Sequence, residues 1–187
     1  MTQIANSLNG VDRDALKGTL EAVQHDPHLA KVSFTLGADW QGGCRQRAVT
    51  GATRQAGTTI DSRTARYTLE SDEPAALLGS DTAASPAEYV LQALAGCYAV
   101  TFATHAANRG IELSSLRLDM EADFDLQGFL GLDEKTRPGA QEIRVTVHAE
   151  SPNTSRGGLL ELTAFVQEHS PIRDILAHEV RVSTDLA

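Results

Sequence analysis

One long apolar segment limits the fold more than any other feature. Residues 86–108, PAEYVLQALAGCYAVTFATHAAN, contain no Lys or Arg and one carboxylate, Glu88. Three signals mark its start as a helix. Ser85 can accept from an orphan backbone N–H, Pro86 suits the first helical position, and Glu88 completes a capping box with Ser85. The helix is expected to run to about Asn108 and to stop at Gly110. Val90, Leu91, Ala93, Leu94, Cys97, Tyr98, Val100 and Phe102 make it apolar nearly all round, so it should be buried centrally and needs cover from several sides, which a second subunit could provide. Its most apolar stretch, 89–103, includes Gln92 and Thr101 and falls short of the roughly 20 residues that span a bilayer.

The segments around this helix read as strands and shorter helices. Residues 11–24 have Leu16, Leu20 and Val23 at helical spacing, and Asp26-Pro27 should end that helix. Strand-like runs follow at 31–36, 47–50 and 58–69, with turns at Gly42-Gly43 and Gly51. After the long helix, Leu116, Leu118, Met120, Ala122 and Phe124 alternate with charged residues, as in a half-buried strand with an acidic outer face. Ile143, Val145 and Val147 repeat the alternation. A helix at 159–168, a helical turn at 170–177 and a last strand at 180–182 complete the chain. Hairpin-like neighbours with interspersed helices indicate α+β and not a doubly wound parallel sheet.

The 187 residues fit one domain, read here as a helical arm at 1–30 and a core at 31–187. With 41% hydrophobic and 22% charged residues the composition is that of a globular protein. A net charge of −9 argues against a sequence-independent grip on nucleic acid or an anionic membrane. No basic n-region precedes an apolar stretch at the start, and a cytoplasmic location is expected. Cys44 and Cys97 are too few for a disulfide scaffold.

Common catalytic signatures are absent: no phosphate-binding loop, dinucleotide fingerprint, G-x-S-x-G, C-x-x-C or H-E-x-x-H occurs. The six histidines are scattered singly, without the tight pairs of a zinc site, and neither a metal nor a cofactor is expected. Asp119, Glu121, Asp123 and Asp125 would lie in a line about 7 Å apart on a strand face, whereas calcium wants oxygens converging on a point, so they read as a solvated face. Cys97 is the residue of interest. It sits mid-helix among Ala93, Ala95, Gly96 and Ala99, where small side chains leave room for another element or a substrate. A free cysteine used as a small hydrophobe is the other reading. His105 lies about 12 Å further up the same helix and cannot bond Cys97. A Cys-His hydrolase using His169 is a weak third reading.

Three stretches carry a family resemblance: DEPAALLGSDTAASPAEYVLQALAGCYAVTFATHAANRGIEL, DLQGFLGLDEKTRPGAQEIRV and EHSPIRDIL. Together they resemble the OsmC/Ohr family over about Val11 to Val182, and the specific combination is P-x-E with a helical cysteine eleven residues after the proline. The resemblance implies an OsmC-like α+β fold, with curved antiparallel sheets wrapped around two central helices in an interleaved homodimer. It also implies thiol-dependent reduction of organic hydroperoxides in oxidative-stress defence. Partners would be a second copy, a small hydrophobic peroxide and a thiol reductant. The reactive cysteine maps onto Cys97. A thiolate must form there, while apolar burial works against one, so a cation is needed. The family draws that cation from an upstream strand, where Arg66 is the first candidate and Arg63 the second.

Two positions depart from the peroxidase pattern. Ala87 stands where a glutamate would hold the arginine, and Glu88 follows it; Glu88 is then either a bridging catalytic residue or only the capping-box partner of Ser85. Ser170 holds the place of the resolving cysteine, and a hydroxyl cannot form a disulfide with a sulfenic acid. Cys44, in the Gly-rich turn QGGCRQR, reads as an incidental thiol. The resemblance therefore implies one peroxidatic cysteine resolved by an external thiol, with Leu94, Phe102 and Phe165 as apolar neighbours and Ser170→Ala without effect. The rival is an OsmC-fold binding or stress protein without turnover.

Overall fold

The structure, a computed structural model, describes residues 6–186. It divides into two compact units, residues 6–13 with 90–186, and residues 14–89. In chain order the elements are β1 (Ser7–Leu8), β2 (Val11–Asp12), α1 (Arg13–His25), β3 (Val32–Ser33), β4 (Leu36–Trp40), β5 (Gln46–Thr50), β6 (Thr53–Gln55), β7 (Thr58–Ile60) and β8 (Thr68–Ser71). They continue with α2 (Pro86–Asn108), β9 (Ser115–Asp123), α3 (Leu126–Phe129), β10 (Glu142–Glu150), α4 (Arg156–His169) and α5 (Pro171–Ala177). The fold is α+β, and every strand pairing among the described residues is antiparallel.

The unit of residues 6–13 and 90–186 is built on α2. The capping box forms in both directions: the Glu88 N–H donates to Ser85 Oγ at 3.2 Å and the Ser85 N–H to the Glu88 carboxylate at 2.8 Å. Gly110, at φ +70, ends the helix in a conformation that L side chains rarely adopt. Leu94, Tyr98, Phe102 and Ala106 of α2 meet Leu162 and Val166 of α4 in the core. The inner faces of β9 and β10, Leu118, Met120, Ile143, Val145 and Val147 among them, close over that core. The strands pair from Ser115 with Glu150 to Asp123 with Glu142. On their outer face Arg144 is held by Glu121, Asp123 and Glu142, and Asp119 takes Arg117 and His148. The acidic row is thus laced with cations on an exposed sheet face.

Two expectations fail here. Central burial of α2 on all sides is not observed: one side faces the core, while Ala93, Gly96 and Val100 are exposed, Val100 by 67%. One chain supplies cover for one side only. By length and composition α2 is also apolar enough to cross a membrane, but its buried side packs on α4 and the β9–β10 pair. Nor do residues 180–182 form a strand: they lack a paired edge, and Val182 is 85% exposed. A strand without a neighbour leaves its backbone to solvent.

The unit of residues 14–89 consists of α1 and two three-stranded sheets, ordered β3-β6-β7 and β4-β5-β8. The expected strand 31–36 is split into β3 and the start of β4, and 58–69 is interrupted by a 3-10 turn at Asp61–Arg63. Loop 72–85 is organised by Asp72, whose buried carboxylate accepts from the N–H groups of Glu73, Ser80 and Thr82 and from Thr82 Oγ1. Burial alone would push this carboxyl up; the Thr82, Glu73 and Ser80 hydrogen bonds outweigh it and pull it down to about 2. Gly79 is required here, since a Cβ would fall 1.7 Å from the Glu73 carbonyl oxygen.

Candidate functional site

The half-buried sulfur of Cys97 meets the start of α5. Ser170 Oγ donates to Cys97 Sγ at 3.2 Å, and the Ile172 N–H points at the same sulfur at 3.5 Å. The local sequence explains why α5 begins there. Pro171 occupies the first helical position, and Ser170 caps the helix by accepting from the Arg173 N–H at 3.4 Å. With its own N–H groups unpaired within the helix, the first turn has donors to spare. On the α2 side, Thr101 Oγ1 donates to the Cys97 carbonyl at 2.7 Å, tying the hydroxyl back into its own helix.

A cleft of about 610 Å³ in the same unit, to which Cys97 does not contribute, has Leu94, Tyr98, Phe124, Ile143, Arg137 and Arg173 on its walls. Tyr98 and Arg173 adjoin Cys97 and Ile172 in sequence. Burial pushes the Tyr98 phenol up, a trend that the Arg173 charge opposes and Cys97 reinforces. Leu94 lines this cleft. Phe102 does not: it is wholly enclosed in the core. Phe165 also lies elsewhere, stacked on His169 at 3.8 Å between ring centroids and edge-on to His105 at 4.6 Å. The Arg109 guanidinium lies over the same ring at 4.3 Å. Burial, then the charges of Arg109 and His169, push the His105 imidazole down. His169 Nδ1 is engaged by the Phe165 carbonyl at 2.8 Å.

The other candidates lie in the unit of residues 14–89. Arg63 and Arg66 come together over the Tyr67 ring, at 5.0 and 5.4 Å from its centroid. Thr50 braces this loop by donating to the Arg63 carbonyl and accepting from the Tyr67 N–H. Glu88 is exposed and its carboxylate serves the capping box. Cys44 is exposed and its thiol reaches the Leu78 carbonyl at 3.6 Å. Among the predicted site residues the structure therefore joins Cys97 with Ser170, and Arg63 with Arg66. Sequence reasoning missed the Ile172 N–H, Tyr98 and Arg173. The Ser-Pro pair that opens a helix was the available signal for the first of these, because it marks where free N–H donors lie.

Comparisons with known proteins agree on one family. The model of the family described as OsmC-like protein matches residues 79–185. Among solved structures, an OsmC-like protein from Mycoplasma pneumoniae superposes with a TM-score of 0.58 at 18% identity, over 78% of this chain and 87% of that one. An OsmC-like protein of unknown function from Vibrio cholerae gives 0.55 at 13% identity, over 76% and 92%. An organic hydroperoxide resistance protein from Elizabethkingia anophelis gives 0.52 at 15% identity, over 76% and 87%. Comparison by sequence with curated proteins returns no match.

Proposed function

The chain belongs to the OsmC-like protein family, and on that premise we propose that Cys97 is a peroxidatic thiol that reduces organic hydroperoxides in a cytoplasmic stress response. The observation that carries the reading is the convergence of two hydrogen-bond donors, Ser170 Oγ and the Ile172 N–H, on the Cys97 sulfur. Thiolate is the reactive form, and donors aimed at sulfur favour negative charge there. The hydroperoxide-resistance function named for the Elizabethkingia relative supports the choice of substrate class.

In the first step the thiolate attacks the outer peroxide oxygen. An S–O bond forms and the O–O bond breaks; sulfur loses two electrons to the peroxide, and the departing alkoxide takes up a proton as the alcohol. An external thiol then attacks the sulfenic sulfur, forming an S–S bond and releasing the oxygen as water. A second external thiol cleaves that mixed disulfide, which restores Cys97 and yields the external disulfide. The apolar walls of the cleft, Leu94, Phe124 and Ile143, suit an organic substituent. In this reading Arg66 is the first candidate for the cation of the complete site and Arg63 the second, with Glu88 as its partner.

The complete site in this reading is a homodimer. Ala93, Gly96 and Val100 form an uncovered stripe on α2, about 40–100° around the helix from Cys97. A Cβ on Gly96 would meet nothing within 4 Å, so a neighbouring element can approach closely. Phe34 and Trp40 are each 76% exposed and offer further apolar surface to a second copy.

Serine at position 170 favours a second reading, an OsmC-fold protein that binds but does not turn over. Steady-state consumption of cumene hydroperoxide with a dithiol reductant separates the two. The peroxidase reading expects Cys97→Ser to fall to the uncatalysed background; undiminished consumption in that variant would remove it.

A further inference from the structure

We propose that Ser170 is a positioning residue that holds the Cys97 sulfur in its anionic, attacking form; this rests on the reading of Cys97 as the reactive thiol. Ser170 is only 1% exposed, so its hydroxyl has to find partners within the protein. A hydroxyl has one proton to give and two lone pairs to share. One lone pair takes the Arg173 N–H at 3.4 Å, and the proton goes to Cys97 Sγ at 3.2 Å. The sulfur is thereby the acceptor of both the hydroxyl and the Ile172 N–H. A neutral thiol is a weak acceptor, whereas a thiolate accepts strongly and can take both donors at once.

The same contact fixes direction. Cys97 lies in the middle of α2 and Ser170 at the α4–α5 junction, 73 residues apart in sequence, so the hydrogen bond pins the sulfur against a second helix. Serine in place of a resolving cysteine thus removes the internal disulfide and leaves a donor to the sulfur. On this proposal Ser170→Ala slows the thiol, whereas the sequence alone leads to the expectation of no effect.

The test is the rate at which iodoacetamide alkylates Cys97 in the full chain, at neutral pH and in strong alkali, with peptide mapping to separate Cys97 from Cys44. A hydrogen bond to a charged group is worth enough to change the neutral rate about tenfold. Ser170→Ala is expected to fall about tenfold at neutral pH and to match the parent in alkali, where the thiol is ionised regardless. Ser170→Thr keeps the hydroxyl and should stay near the parent. Ser170→Asp keeps a helix cap but has no proton to donate, and should fall at least as far as alanine. Loss of capping alone would lower the melting temperature and leave the ratio of neutral to alkaline rates unchanged. An unchanged ratio in both Ser170→Ala and Ser170→Asp overturns the proposal. If the parent alkylates readily yet is not oxidised by hydroperoxide, the peroxidase reading fails and the role of Ser170 stands.

Discussion

The two units of the chain are held together by different means. Residues 90–186 enclose an apolar core in which Phe102, Leu162 and Val166 are fully buried between α2, α4 and the β9–β10 pair. Among the described residues of 14–89, Ala48 is the one buried apolar side chain, while Phe34, Leu36, Trp40 and Leu69 are exposed. Order in that unit comes from hydrogen bonds, around Asp72 in loop 72–85 and around Thr50 beside Arg63 and Tyr67. One unit thus carries its own hydrophobic stabilisation, and the other exposes large apolar side chains.

Breaking the core should have the largest effect. Phe102→Ala is expected to cost about 3–5 kcal/mol by chemical denaturation, because it removes a fully buried ring and leaves a cavity. Placing a charge on the uncovered side of the same helix sharpens the contrast. Val100→Asp should leave the secondary structure by circular dichroism intact while shifting the sedimentation of the protein from dimer to monomer. A parent that sediments as a monomer at all concentrations would contradict the homodimer.

Acid should loosen loop 72–85. The Asp72 carboxyl is pulled down to about 2 in the fold, against an ordinary value of about 3.9 when unfolded. Its ionised form therefore stabilises the native state fully above pH ~4, and that contribution is lost as pH falls towards 2. Hydrogen exchange in loop 72–85 should accelerate over that window, and Asp72→Asn should show faster exchange there already at neutral pH. Equal protection in parent and variant would mean that the carboxylate does not organise the loop.

Legibility in the sequence followed how local each determinant is. The limits of α2 were readable because Ser85, Pro86, Glu88 and Gly110 act within a turn of its ends. The alternation of β9 and β10 was readable because one face is buried. The run 58–69 misled because Ala65 takes a left-handed φ of +54 and Asp61–Arg63 a 3-10 turn, neither of which an alanine or a β-branched run announces. The tail at 180–182 has strand-forming residues, but a strand also needs an edge to pair with. Cys97 stood out through its small neighbours and the family pattern. The donors that meet its sulfur come from Ser170 and Ile172, more than 70 residues away, and no local spacing encodes that contact.

The most direct measurement is to treat the reduced protein with one equivalent of cumene hydroperoxide, trap sulfenic acid with dimedone and map the adduct by mass spectrometry. Dimedone is expected on Cys97, with an equal amount of cumyl alcohol and no adduct on Cys44. An unmodified Cys97 beside intact hydroperoxide would contradict it.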